Sequence, residues 1–168
     1  MSVVSERPMS LLHVEFDELY ARHLCRHSQF GINVVHLAAL FGIWYAVYAI
    51  VYRLTGTFWA PVALAAAYLA VLAPTVPARV LAATGLFVGV LVVALLPLAD
   101  LPHWAVALLL LAIPLCYKLQ AQSHKWFPVE RDMTEFNKKY RKGFVLFVVL
   151  LFAEVPIALN YLVFDRKN

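Results

Sequence analysis

At 168 residues, 63% of them hydrophobic and 14% charged, with a mean hydropathy of +0.76, the chain is too apolar for a soluble domain, which is about half apolar and a quarter charged. The net charge of +4 and the pI near 9.2 come from Lys and Arg gathered in loops, a pattern that suits membrane orientation and anionic headgroups and excludes nucleic acid as the expected partner. The two cysteines, Cys25 and Cys116, sit in apolar or helical context, so no disulfide framework is implied.

Glu6 and Arg7 stand near the N-terminus and no long apolar run begins before Ile32, so no cleavable leader is expected. Residues 10–27 predict an amphipathic helix lying at the membrane interface. Leu12, Phe16, Leu19, Tyr20, His23 and His27 recur at helical spacing on one stripe, with Glu15, Glu18, Arg22 and Arg26 on another. Glu18 and Arg22 also form an i,i+4 pair. His23 and His27 are centred on the apolar stripe and should face the bundle. Ser28 to Gly31 turns the chain into the first membrane helix. Without that turn His27 and His36, nine residues apart, would point in opposite directions.

Five apolar spans follow, at about 32–52, 59–73, 80–98, 103–119 and 144–164, each read against the ~20 residues a bilayer requires. Arg53 and Thr55-Gly56-Thr57 end the first, Pro74 and Pro77 the second. Arg79 and Asp100 bound the third. Glu154, Pro156 and Asn160 interrupt the fifth. The expected fold is therefore an all-α membrane bundle forming one domain over residues 1–168, without internal repeats.

Five crossings put the N-terminal segment, the 74–79 turn and the 118–143 loop on one side. That side carries eleven basic residues: Arg7, Arg22, Arg26, Arg79, Lys118, Lys125, Arg131, Lys138, Lys139, Arg141 and Lys142. The other side carries three, Arg53, Arg166 and Lys167. By the positive-inside rule the first side is cytoplasmic, in a bacterial inner membrane or the endoplasmic reticulum.

Four histidines fall on that face. His23 and His27 precede the first span, His36 lies about a turn inside it, and His124 follows the fourth. His103 belongs to the opposite end, and His13 lies far up the N-terminal segment. Imidazoles gathered at a membrane edge compete for protons unless a metal or a hydrogen-bond network takes them up. Both readings stand open: interfacial anchors, or a shared metal site made of His23, His27, His36 and His124. Asn33, three residues before His36, is placed to orient that ring, and Gln120, four before His124, to orient the other. Glu130 near His124 reads equally as a carboxylate ligand or as an ion pair with Lys125 or Arg131. Asp132 and Glu135 resemble a capping box. The Lys138-Lys139-Tyr140-Arg141-Lys142 run reads as a topology signal and headgroup contact, or as an attractor for a fatty-acid carboxylate. Glu154 costs on the order of 2–3 kcal/mol at mid-span and needs a partner in the bundle. It is either a protonated structural residue beside Pro156 or part of a polar substrate cavity with Asn160.

Two stretches carry a family resemblance. His27, Asn33 and His36 resemble a His–Asn–His pattern entering a first membrane helix, and Gln120-x-x-x-His124-x-x-Phe127 resembles a Gln–His–Phe–Glu pattern after the last central helix. Both are similar to the small multi-span membrane proteins typified by the 2-hydroxy-palmitate dioxygenase of fatty-acid alpha-oxidation. The resemblance covers most of the chain in layout and about twenty residues in motif. It departs in three places: the His27–His36 spacing is one residue longer, Asn33 stands one place nearer to His36, and Pro128 stands where the family has glutamate. The resemblance implies an Fe(II)-dependent dioxygenase that uses dioxygen to shorten a 2-hydroxy long-chain fatty acid by one carbon, with His27, His36 and His124 as metal ligands. Two rival readings are a non-enzymatic transport or scaffold protein using Glu154 and Asn160, and a bis-histidine haem protein. Too few histidines face one side for a histidine-rich di-iron hydroxylase.

Overall fold

Long runs of Leu, Val, Ala and Ile leave each segment only its own backbone to bond with in a bilayer, which selects helices. A computed structural model describes residues 15–98, 102, 104–128, 132, 134 and 143–165, and among them there are six α-helices and no strand. They are α1 (Phe16–Leu24), α2 (Phe30–Thr55), α3 (Trp59–Leu72), α4 (Ala78–Val93), α5 (Ala105–Trp126) and α6 (Phe144–Leu159). A 3₁₀ turn at Leu96–Leu98 extends α4, and a π-helical segment at Asn160–Phe164 extends α6. Four of these stretches, Phe30–Thr55, Ala78–Leu98, Ala105–Trp126 and Phe144–Phe164, are long and apolar enough to cross a membrane. The chain is an all-α membrane bundle.

Several boundaries differ from those expected. The interfacial helix is nine residues long and ends at Leu24, although the His27 amide still bonds the His23 carbonyl at 2.9 Å. Residues 10–14 lie outside the described part. The second expected span is a helix of 14 residues, about 21 Å long, short of a full crossing. The fourth runs on to Trp126, seven residues past its expected end. Hydropathy registers where the chain becomes polar, whereas Gln, Ala and Lys are good helix formers and carry the backbone ladder onward. His124 consequently rides on a helix and not on a loop.

α2 is the central post. Ring and hydrogen-bond partners fix its neighbours' directions: Trp44 meets Tyr68 and Tyr52 meets Phe58, so α3 is antiparallel. Phe41 meets Phe87 and the Tyr45 hydroxyl donates to the Ala94 carbonyl at 3.2 Å, so α4 is parallel. α5 is antiparallel and the most intimate partner of α2. A Cβ on Gly31 would strike the Phe127 ring, and one on Gly42 would lie 2.6 Å from the Cys116 sulfur. α2 ends on Gly56 at φ 66°, whose amide bonds the Tyr52 carbonyl, the left-handed cap that glycine adopts without strain. Along α5, Trp104 and Trp126 are both largely exposed and stand about 33 Å apart, close to the thickness of a hydrocarbon core. His124 lies one half-turn inside the Trp126 end.

α6 packs against α1, α2, α3 and α4 and is the most buried span, with 56% of its apolar window inside the bundle against 11% for α5. Pro156 lacks the N–H that would bond the Phe152 carbonyl. The Tyr68 hydroxyl donates to that orphaned carbonyl at 2.9 Å, so α3 repairs the break in α6. The end of α6 lies where α2 begins: the Tyr161 hydroxyl donates to the Ser28 carbonyl and the Tyr20 hydroxyl to Asp165 Oδ2, both at 2.7 Å. Strict alternation of five crossings puts that end at the opposite face. The polar groups of the last span have their partners at the histidine end instead. Arg166 and Lys167 lie outside the described residues.

Candidate metal centre

Three of the four singled-out histidines converge. His27 comes from the turn after α1, His36 from the second turn of α2 and His124 from the last turn of α5, and their ligand atoms lie within 4.8 Å of one another. Their ring centroids are 4.5 Å (His27–His36), 4.8 Å (His27–His124) and 5.1 Å (His36–His124) apart, all edge-on. The turn expected at 28–31 is what permits this. Gln29 is extended at φ −101° and ψ 143°, which swings α2 away from the axis of α1 and lets His27 and His36 face each other.

The hydrogen bonds decide which nitrogen each ring presents. His27 Nδ1 lies 3.3 Å from the His23 carbonyl, and His36 Nδ1 lies 3.1 Å from Glu154 Oε1. A carbonyl and a carboxylate only accept, so both rings carry their proton on Nδ1. Their Nε2 atoms are then bare lone pairs, and both are buried with no partner among the described residues. A buried acceptor left unmade costs about 1–3 kcal/mol. Two such costs side by side suit a site whose partner is a metal ion. The pattern is that of metal-binding histidines, in which the second nitrogen donates to a carbonyl or carboxylate.

His23 is brought beside this group but not into it. Its ring stacks on His27 at 4.0 Å, and its Nε2 donates to Asn33 Oδ1 at 2.8 Å. Asn33 is fully buried, and its amide donates to the carbonyls of His27 at 2.6 Å and Gln29 at 2.8 Å. Asn33 therefore closes the turn and orients His23; the expected contact with His36 is replaced, because its side chain is used up by the turn. Burial, above all, pushes His23 down from 6.5 to about 4. Burial, followed by the neighbouring His23, His36 and His124, also holds His27 well below the usual histidine range. Neutral imidazole is the form that ligates metal.

Gln120 likewise has a different task from the one expected. Its amide donates to Glu154 Oε1 at 3.3 Å, the same oxygen that accepts from His36. Glu154 thus joins the site from α6, as a partner of His36. The signal was available: a carboxylate at mid-span demands a partner inside the bundle. Asn160 is buried and hydrogen-bonds the Tyr20 side chain. Asp132 Oδ1 accepts the Thr134 amide at 2.8 Å, as a helix N-cap does. His13, His103, Glu130, Arg131, Glu135 and residues 138–142 lie outside the described part.

Fold and site define an all-α membrane bundle with a three-histidine cluster at one end. Compared with protein-family models, with curated proteins and with solved structures, the chain matches none.

Proposed function

We propose that the chain is a membrane-bound Fe(II)-dependent oxygenase acting on a 2-hydroxy long-chain fatty acid. The observation that carries this reading is the pair of bare, buried Nε2 atoms on His27 and His36 beside His124. Imidazole sets suit iron, copper, zinc and nickel alike. The choice of iron, and of the reaction, rests on the resemblance to the 2-hydroxy-palmitate dioxygenase family. Bound Fe(II) would supply dioxygen activation and open positions for substrate oxygens.

The protein's own residues do the rest. His27, His36 and His124 would hold the ion, while the His23 carbonyl and Glu154 accept hydrogen bonds from the Nδ1–H groups of His27 and His36 respectively. His23 and Asn33 keep the turn closed. Arg26 is exposed near His124 and offers a cation to the substrate carboxylate. The site lies within a half-turn of the Trp126 level, so a lipid can present its headgroup there while its tail stays among apolar helices. The overall conversion balances as 2-hydroxy acid plus dioxygen giving an acid one carbon shorter, carbon dioxide and water.

Against haem, the three rings at 4.5–5.1 Å leave no slot for a porphyrin between any two. Against transport through a Glu154–Asn160 pair, each of those side chains is engaged elsewhere. The test is turnover. Protein loaded anaerobically with Fe(II) and given a 2-hydroxy long-chain fatty acid and dioxygen should yield the acid one carbon shorter, and His36→Ala and His124→Ala should each abolish the product. Iron bound at full occupancy with no dioxygen consumed would contradict the oxygenase reading.

A further inference from the structure

We propose that Glu154 and Gln120 are positioning residues that hold His36 in the tautomer whose Nε2 lone pair is free for a metal at the cluster. This rests on the metal-centre reading and names the machinery that prepares one of its ligands.

An imidazole that carries its proton on Nε2 has no lone pair there. In water the two neutral forms interconvert freely, and Nε2–H is the commoner for an unpartnered histidine. In the bundle the choice is made by what faces Nδ1. His36 is 3% exposed, and among the described residues the acceptor on its Nδ1 is Glu154 Oε1 at 3.1 Å. That oxygen is itself held from a third helix, by the Gln120 amide at 3.3 Å. Gln120 is buried, and its amide has one productive orientation, because the reversed one would set its carbonyl oxygen against the carboxylate.

Three helices therefore meet at one oxygen: α2 through His36, α5 through Gln120 and α6 through Glu154. Gln120 also lies four residues before His124 on the same face of α5. One turn of α5 thus supplies a candidate ligand and fixes the group that orients another. Glu154 supplies an acceptor on the nitrogen opposite the one that would hold the cation, which strengthens the ligand as well as aiming it.

The experiment uses the full chain in detergent, free of metal and at mildly alkaline pH, with nitrogen-15 in the histidine rings. The His36 signal is identified by its loss in His36→Phe. Wild type and Glu154→Gln, which keeps an accepting oxygen, should carry the proton on Nδ1, and Glu154→Leu should move it to Nε2. Cobalt(II) affinity, measured by chelator competition, should fall by ~10–100-fold in Glu154→Leu, with Glu154→Gln retaining most of it and Gln120→Leu falling between them. An Nε2 proton on His36 in the wild type, which needs no variant to fold, would overturn the proposal. So would a Glu154→Leu protein whose tautomer is unchanged. If the tautomer follows Glu154 while none of the proteins takes up cobalt, the positioning role stands and the metal-centre reading falls.

Discussion

His23 and His27 sit four residues apart and stack ring on ring, yet they present opposite nitrogens to their surroundings. His23 spends its Nε2–H on Asn33, whereas His27 spends its Nδ1–H on a backbone carbonyl and leaves Nε2 bare. On the proposed reading this makes His23 a support and His27 a ligand. His23→Phe, which keeps a flat ring for stacking, should retain metal affinity within a few-fold, while His27→Phe should lose it; equal losses would place His23 among the ligands. The buried His23 also predicts a pH effect on stability. Unfolded, it takes a proton near 6.5; folded, it resists protonation down to about 4. The unfolded state binds more protons in that window, so stability is present above it and falls as pH drops from 6.5 towards 4. Thermal melts of metal-free protein across this range should be less steep in His23→Phe. Residue types and helical phase were enough to gather four histidines at one face. They could not tell ligand from support, because that depends on partners chosen by the folded turn (Asn33) and by a carboxylate 118 residues away (Glu154).

The seam between α2 and α5 sets the distance between His36 and His124. Two glycines of α2 flank His36, and each lets a side chain lie directly on the backbone: Phe127, just past the end of α5, on Gly31, and Cys116 of α5 on Gly42. Gly42→Ala forces the helices apart unless Cys116 yields, at a cost of about 1–3 kcal/mol of stability and with weakened metal binding. Gly42→Ala with Cys116→Ala should recover both; a double variant as impaired as the single one would show that the seam is not the cause. α6 depends on a different device. Tyr68→Phe removes the donor that satisfies the carbonyl orphaned by Pro156, and thermal or denaturant unfolding should report a loss of about 1–3 kcal/mol. Unchanged stability would mean that the carbonyl finds another donor. Hydropathy located all these elements, since apolar runs are what a bilayer demands. It missed the end of α5 because Gln120, Gln122 and Lys125 are polar but helix-forming, and it overrated α3, whose Ala-rich run is apolar without being long.

For the whole molecule, the turn after α1, the start of α2, the end of α5 and the end of α6 gather at one end of the bundle. Tags placed before α1 and after Asp165 should accordingly be reached by a membrane-impermeant reagent from the same side. Labelling from opposite sides would restore the strict five-crossing alternation. Charge counting could not see that Tyr161 and Tyr20 hold the end of α6 at the histidine end, since hydroxyl partners leave no trace in a charge count. The account as a whole stands on a three-imidazole metal centre at that end. X-ray absorption on protein loaded anaerobically with Fe(II) measures it directly. The account predicts about one iron per chain with three imidazoles in its coordination shell, one of them lost in each of His27→Phe, His36→Phe and His124→Phe and none in His23→Phe. No retained iron, or iron with no imidazole ligands, would contradict it.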